Sequence, residues 1–432
     1  MTNCQIGLVG AGTIGGGVVK ILNKQKEFFA TSLGLPLELK RIVDINADHF
    51  DKLPIGNTIC SANADDILND DDISIVIELI GGTTFAKELV INACNAGKHV
   101  VTANKALISE HGPEIFETAE KNGVSLFFEA SVGGGMPAIK TIRESMIANE
   151  IISVETIING TCNYILSQMT EKGLSFDSVL KTAQENGYAE ADPALDIEGG
   201  DSGHKVSIMA SLLYGGYVPY EKVHIEGITA ITGDDIKFAR KLGYTIKLLG
   251  IIKKLKDNYI DIRIHPAMLH NSHILASVSD VYNAVYIKGD AVGDILLYGR
   301  GAGEMPTASA VVSDVVDIAR NIATDHRKRI SMDYYRSSNE LKVASISLIT
   351  SRYYLCFSVS DEPMVFASIA SVLGEHSISI ASVIQNEEHS DDSVPIVILT
   401  HEAVEENLQD AVKEIERQSF IKAKTRIIRI EE

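Results

Sequence analysis

Short apolar runs alternate with helix-spaced apolar positions through residues 1–130. The runs Gln5–Val9, Leu39–Val43, Ile73–Leu79, His99–Thr102 and Val124–Phe128 predict strands. The segments Ile14–Phe29, Phe85–Ala96 and Pro113–Lys121 carry helical spacing. Strands separated by helix-length stretches make βαβ units, and hence a doubly wound, mostly parallel sheet of an α/β fold. The unbroken run Ile75-Val76-Ile77 fits a strand covered on both faces.

Beyond Glu150 the pattern changes. A strand-like run, Ile151–Ile158, leads into helical spacing at Tyr164–Met169, Phe176–Gln184 and Gly203–Leu213. Strand-like runs at Thr245–Ile252, Tyr259–Ile264 and Val281–Ile287 then precede a long helical pattern, Ala308–Ala323. The mixture predicts an α+β domain with a mixed sheet. Asp325–Leu341 is polar and rich in Arg, Ser and Asn, the composition of a linker. After it come strand Tyr353–Val359, helix Val365–Leu373, strands Ile378–Ile384 and Val394–Leu399, helix Glu405–Ile415 and strand Ala423–Ile430. That order, βαββαβ, is ferredoxin-like. The expected divisions are 1–130, 131–325, a linker at 326–345, and 350–432, with helix 308–323 free to pack back on the first domain.

Composition narrows the function classes. The 432 residues carry 39 Lys+Arg against 58 Asp+Glu, a formal charge of −19, with 45% hydrophobic residues. Such a chain can bury a sizeable core and is not disordered. The negative charge argues against a nucleic-acid partner and against an anionic membrane surface. No apolar run is long enough to span a bilayer, and the N-terminus lacks the pattern of a signal peptide. Five scattered cysteines form no C-x-x-C pair, so reduced thiols in a cytoplasmic protein are expected.

Gly10-Ala11-Gly12-Thr13-Ile14-Gly15 follows an apolar strand and opens a helix, the context in which G-x-G-x-x-G binds a dinucleotide. Gly10 permits the tight turn, Gly12 lets backbone approach a pyrophosphate, and Gly15 lets helix and strand pack closely. The first domain is therefore expected to be Rossmann-type. Asp44 ends the second strand and is a candidate for the adenosine ribose hydroxyls, or else a solvated strand-end acid. An acid there favours NAD, but the neighbouring Lys40 and Arg41 leave NAD and NADP both open.

Several longer segments resemble the homoserine dehydrogenase family. They are Gly10–Gly15, Val101–Leu107, Phe128–Pro137, Asn159–Leu166, Gly187–Pro193, Asp196–Lys205 and Gly301–Thr307, in family order over residues 1–330. The tail, Tyr353–Ile430, resembles an ACT domain, a small amino-acid-sensing module. The resemblance implies reversible NAD- or NADP-dependent interconversion of L-aspartate 4-semialdehyde and L-homoserine, in threonine, methionine and isoleucine biosynthesis.

It also implies roles. Lys205, Asp201 and Lys105 would be the catalytic group, and Glu190, Asp201, Asp196 and Tyr188 would bind substrate. Gly10, Gly12, Thr13, Ile14, Gly15, Asp44, Thr102, Lys105, Gly187 and Gly303 would hold the cofactor. Glu129 with the carbonyls of Val132, Gly134 and Met136 would ligate a structural sodium or potassium ion. Chemistry alone is less decisive. Hydride attack on an aldehyde makes an alkoxide that needs a proton, which Lys205 can give. Yet Asp201 and Lys205, four apart, equally fit an exposed helix ion pair. The acids Glu190, Asp192, Asp196 and Glu198 suit a substrate ammonium or a solvated loop.

The ACT-like tail has Asp361-Glu362-Pro363-Met364 where such modules usually have Asp-x-Pro-Gly. Met364 argues against amino-acid binding at that loop, while edge pairing of two tails still suits a homodimer or homotetramer. Two rivals stay open. A phosphorylating semialdehyde dehydrogenase would need a cysteine nucleophile, for which Cys162 is the one candidate inside a motif. A cofactor-binding regulator without activity would be expected to lack Lys205, Asp201 or Glu190, and all three are present.

Overall fold

The computed structural model describes residues 4–34, 36–324, 341–385 and 393–432. Most of the expected linker, 326–345, lies outside them, as do Met1–Asn3. The chain forms two units: Met1–Val154 with His204–Val223 and Tyr282–Leu341, and Glu155–Gly203 with His224–Val281 and Lys342–Glu432.

The first unit is built on six parallel strands: β1 (Cys4–Val9), β2 (Leu37–Val43), β3 (Ile59–Ser61), β4 (Ile73–Glu78), β5 (His99–Thr102) and β6 (Leu126–Phe127). Their order, β3-β2-β1-β4-β5-β6, is the doubly wound Rossmann order. The strand order reverses at β1 and β4, so the crevice at their carboxyl ends is where a ligand of such a sheet binds. Ile6, Leu8, Ile75 and Ile77 are fully buried, as a sheet covered on both faces requires. Helix Glu304–Ala323 covers one face with helix Thr13–Lys24. A Cβ on Gly17 would lie 2.9 Å from Ala308 Cβ, so a glycine is what lets these two helices approach.

One helix begins earlier than its pattern suggests. The helical spacing points to a start at Pro113, but the helix spans Lys105–Lys121 with Pro113 inside it. Proline lacks the N–H that would bond Ser109 O, and that carbonyl instead accepts the Tyr217 hydroxyl at 2.8 Å. A hairpin strand, Gly293–Arg300, paired antiparallel with Tyr282–Gly289, escapes the pattern because few of its positions are buried.

In the second unit, β7 (Tyr244–Lys254) and β8 (Tyr259–His270) pair antiparallel over eleven registered positions, Ile260↔Lys254 to His270↔Tyr244. The tail supplies β9 (Thr350–Val359), β10 (Ile380–Gln385), β11 (Val394–Thr400) and β12 (Ile421–Glu431). The tail order β12-β9-β11-β10, antiparallel throughout, is the ferredoxin-like arrangement expected. This sheet is not separate: β12 pairs parallel with β8, Ala267 opposite Arg429.

Met364 caps helix Val365–Glu375 in the left-handed conformation, φ 74°, with its side chain 73% exposed. A methionine in this left-handed shape carries a cost of roughly 1–2 kcal/mol. Stability should therefore rank Met364→Gly at or above the parent and Met364→Val about 1 kcal/mol below it, by urea unfolding. A Val variant as stable as the parent would contradict that conformation.

Candidate active site

The crevice of the first unit starts at the glycine turn. Gly10 has φ 99°, and a Cβ there would meet Leu79 O at 2.5 Å. A Cβ on Gly15 would meet Gly10 O at 2.0 Å. These two glycines are required by the chain's own packing. Gly12 is not: a Cβ there meets nothing within 4 Å. No side chain caps helix Thr13–Lys24, so its first-turn N–H groups at Thr13 and Ile14 form an anion-binding end. A bare backbone facing open space at that end fits a pyrophosphate.

Asp44 folds under this turn. Its Oδ2 accepts from the Ala11 amide at 2.6 Å and lies 3.0 Å from His49 Nδ1, while Oδ1 accepts from the Asn46 amide at 2.8 Å. Burial pushes its carboxyl up, but the bonds from His49, Asn46 and Ala11 outweigh it and hold the group below the usual range. Lys40 and Arg41 are taken up by Asp70, at 2.7 and 2.8 Å.

Sequence reasoning passed over Glu78, fully buried at the end of β4. Its carboxylate accepts from the Ile80 amide at 2.9 Å and from the Thr102 hydroxyl at 2.5 Å. Thr102 Oγ1 in turn accepts from the Asn104 amide, and Asn104 donates to Gly82 O at 2.6 Å while capping the helix that Lys105 begins. An acid closing an otherwise apolar run was the available signal. Thr102, at the end of β5, and Lys105, at the start of the next helix, are thereby fixed beside the end of β4.

Lys205 lies on helix Gly200–Tyr214, one turn after Asp201, and both are nearly buried at 9% and 5% exposure. That burial removes the exposed ion-pair reading of their spacing. His204, also unforeseen, pairs with Ser109 Oγ at 2.6 Å and stacks on Tyr220 with ring centroids 4.0 Å apart. Ser109 is one turn after Lys105, so this bond ties the helix bearing Lys105 to the one bearing Lys205.

Glu129 is buried, and burial pushes its carboxyl up to about 7 against the amides of Lys140 and Ile139, which bond it at 2.8 and 2.9 Å. Its own amide donates to Asp314, whose carboxyl burial drives well above the usual range. Val132, Gly134 and Met136 are buried beside it, with Gly133 and Gly134 at positive φ. The Met136 carbonyl accepts from the Ala138 amide at 2.8 Å, which ties this turn to the segment whose amides bond Glu129. Among the described residues no cluster of three or more His, Cys, Asp or Glu could hold a metal. Gly134 also abuts the Gly301 turn, where a Cβ would meet Gly301 O at 2.4 Å, and Gly303 caps helix Glu304–Ala323 with φ 115°.

In the second unit one amide gathers two acids. Asn159 Nδ2 donates to Asp196 Oδ1 at 2.7 Å and to Asp201 Oδ2 at 2.9 Å. Thr161 Oγ1 donates to Tyr188 O at 2.7 Å and lies 3.2 Å from Asp196 Oδ2. Tyr188, half-exposed, sets its ring edge-on to Tyr164, and Gly187 has φ 72°. Glu190, Asp192 and Glu198 are exposed. Cys162 is buried, its thiol 3.2 Å from Asp196 O, not presented as a nucleophile.

Residues 10–129 match the family model "Homoserine dehydrogenase, NAD binding domain", and 137–316 match "Homoserine dehydrogenase". The homoserine dehydrogenase of Neisseria gonorrhoeae is 42% identical, covering 100% of this chain and 99% of its own. A homoserine dehydrogenase structure from Thiobacillus denitrificans superposes with a TM-score of 0.94 at 41% identity, covering 100% of this chain and 98% of that one. A hyperthermophilic archaeal homoserine dehydrogenase in complex with NADPH aligns over 73% of this chain and 97% of its own, with a TM-score of 0.61 at 25% identity.

The glycines give a contrast to measure. Gly12→Val should leave the melting temperature near that of the parent while abolishing dinucleotide binding, followed by NADPH and NADH fluorescence. Gly15→Ala should lower stability by more than about 2 kcal/mol, since backbone must move. Tight dinucleotide binding by a folded Gly12→Val protein would reject the assignment.

Proposed function

The chain belongs to the homoserine dehydrogenase family, and on that premise we propose how its own residues divide the work. It is an NAD(P)-dependent oxidoreductase acting on a CH–OH group, interconverting L-homoserine and L-aspartate 4-semialdehyde in threonine, methionine and isoleucine biosynthesis. The bound nicotinamide supplies or accepts the hydride.

Gly10, Gly12, Gly15 and the amides of Thr13 and Ile14 cradle the pyrophosphate, with Asp44, Thr102, Lys105, Gly187 and Gly303 as further cofactor contacts. Lys205 gives its proton to the aldehyde oxygen as homoserine forms and takes one back in the reverse direction. Asp201 keeps the Lys205 ammonium in place and, with Asp196, Glu190 and Tyr188, receives the substrate ammonium. Lys105 binds the substrate carboxylate or the developing negative charge.

The observation that carries this reading is the pair Asp196 and Asp201 drawn onto the one amide of Asn159. Two carboxylates held together by one amide suit an α-ammonium, which is the substrate's own. A sodium or potassium ion at Glu129 and the carbonyls of Val132, Gly134 and Met136 braces the turn before residue 137. All five cysteines are free, in keeping with a cytoplasmic enzyme, and no described helix is long and apolar enough to cross a membrane. A homodimer or homotetramer is expected. An amino-acid effector at the ACT-like tail stays disfavoured by Met364, which fills a position where such loops leave backbone bare.

Oxidation of NADH and NADPH by aspartate semialdehyde tests the assignment. Lys205→Ala should cut turnover by at least ~100-fold with an unchanged circular dichroism spectrum. Near-normal turnover in that folded variant would remove Lys205 from the chemistry.

The cation has its own readout. Sodium or potassium chloride in place of choline chloride should raise the melting temperature of the parent by a few degrees, roughly 1 kcal/mol. Glu129→Ala should not respond, and a parent indifferent to these salts would argue against the site.

A further inference from the structure

Arg429, near the end of β12, is 2% exposed and binds two carboxylates at once. Its Nη1 and Nη2 each donate at 2.9 Å to the two oxygens of Glu226, a fork-to-fork pair. Its Nε and Nη2 donate to Glu405 at 2.9 and 2.7 Å, and Tyr353 adds a hydroxyl to Glu405 at 2.9 Å. Glu405, Tyr353 and Arg429 all belong to the C-terminal module, whereas Glu226 belongs to the segment following strand His224–Ile225.

That segment is a floor for the acid-bearing loop. The amide of Glu226 is fixed to Ile264 O on β8 at 2.8 Å, and the Ile228 amide donates to Ile197 O at 2.8 Å. Contact at Gly227 is so close that a Cβ there would lie 2.3 Å from Ile197 O and 2.5 Å from Glu198 Cα. Ile197 follows Asp196, which Asn159 holds beside Asp201. Every one of these residues lies in the second unit.

From this arrangement we propose that Arg429 is a positioning residue for the substrate ammonium: by clamping Glu226 it fixes the Glu226–Ile228 segment, and with it the loop that carries Asp196. The C-terminal module is then a working part of the substrate site, contributing through a side chain that touches no substrate. A guanidinium suits the task because its planar fork fixes both the distance and the orientation of Glu226, which a lysine ammonium does not. The inference rests on the assignment of Asp196 and Asp201 to the substrate ammonium.

The test uses steady-state kinetics of the full chain with Glu226→Gln, Arg429→Lys and, as a control on the site itself, Asp201→Asn. The glutamine is isosteric and leaves Arg429 paired with Glu405, so it keeps a folded protein even where substitutions of Arg429 do not. Both clamp variants should raise the Michaelis constant for homoserine by about tenfold, as a loop displaced by a fraction of an ångström would. The constant for the dinucleotide should stay within about twofold. A merely stabilising ion pair would lower the melting temperature and leave the homoserine constant alone. An unchanged homoserine constant in folded Glu226→Gln, with a raised one in Asp201→Asn, overturns the role of Arg429 and leaves the substrate site standing. Unchanged constants in both overturn the site assignment and this inference with it.

Discussion

A single side-chain amide that donates both its hydrogens to carboxylates sets the terms for the proposed substrate site. Asn159 stands at the cap of helix Gly160–Lys172, where its Oδ1 accepts from the Cys162 amide while its Nδ2 holds Asp196 and Asp201. The cap fixes the amide plane, and the amide plane fixes the acids. Like charges brought this close repel, so the arrangement is stable only with donors around it and gains most when a cation arrives.

The same device recurs wherever a loop of this protein must hold a shape without an apolar core of its own. Asp44 grips the amide of Ala11 in the glycine turn, Glu78 ties the ends of β4 and β5, and Glu129 takes the amides that open the segment from Ala138. Each is a carboxylate bonded to backbone donors, an interaction stronger than a neutral hydrogen bond and directional enough to fix a turn. Loops near a ligand need this, because they cannot bury themselves against the molecule they are built to admit. Arg429 and Glu226 extend the pattern from backbone donors to a guanidinium.

How much of this was legible in the sequence follows from the range of each interaction. The glycine turn was readable because strand, turn and helix are contiguous, although the contact that requires Gly10, with Leu79 O, is remote in the chain. The βαββαβ tail was readable because the alternation of its strands survives the loss of a glycine at Met364. Pro113 misled because the hydroxyl of Tyr217, which compensates at Ser109 O, lies 108 residues from Ser109. Glu78 and His204 were missed for a similar reason: their partners, Thr102 and Ser109, are remote in the chain, 24 and 95 residues off. Lys205 and Asp201 were named by family likeness, and only their burial removed the alternative of a surface ion pair.

The central claim is that Asn159 makes Asp196 and Asp201 into a receptor for the substrate ammonium. Discrimination between homoserine and 4-hydroxybutanoate, which lacks only the amino group, measures it directly as a ratio of kcat/KM values. The parent enzyme should prefer homoserine strongly, and Asn159→Ala should shrink that preference by roughly 10–100-fold, the worth of one or two hydrogen bonds to charged groups. A folded Asn159→Ala enzyme that still distinguishes the two substrates as well as the parent does would contradict the account.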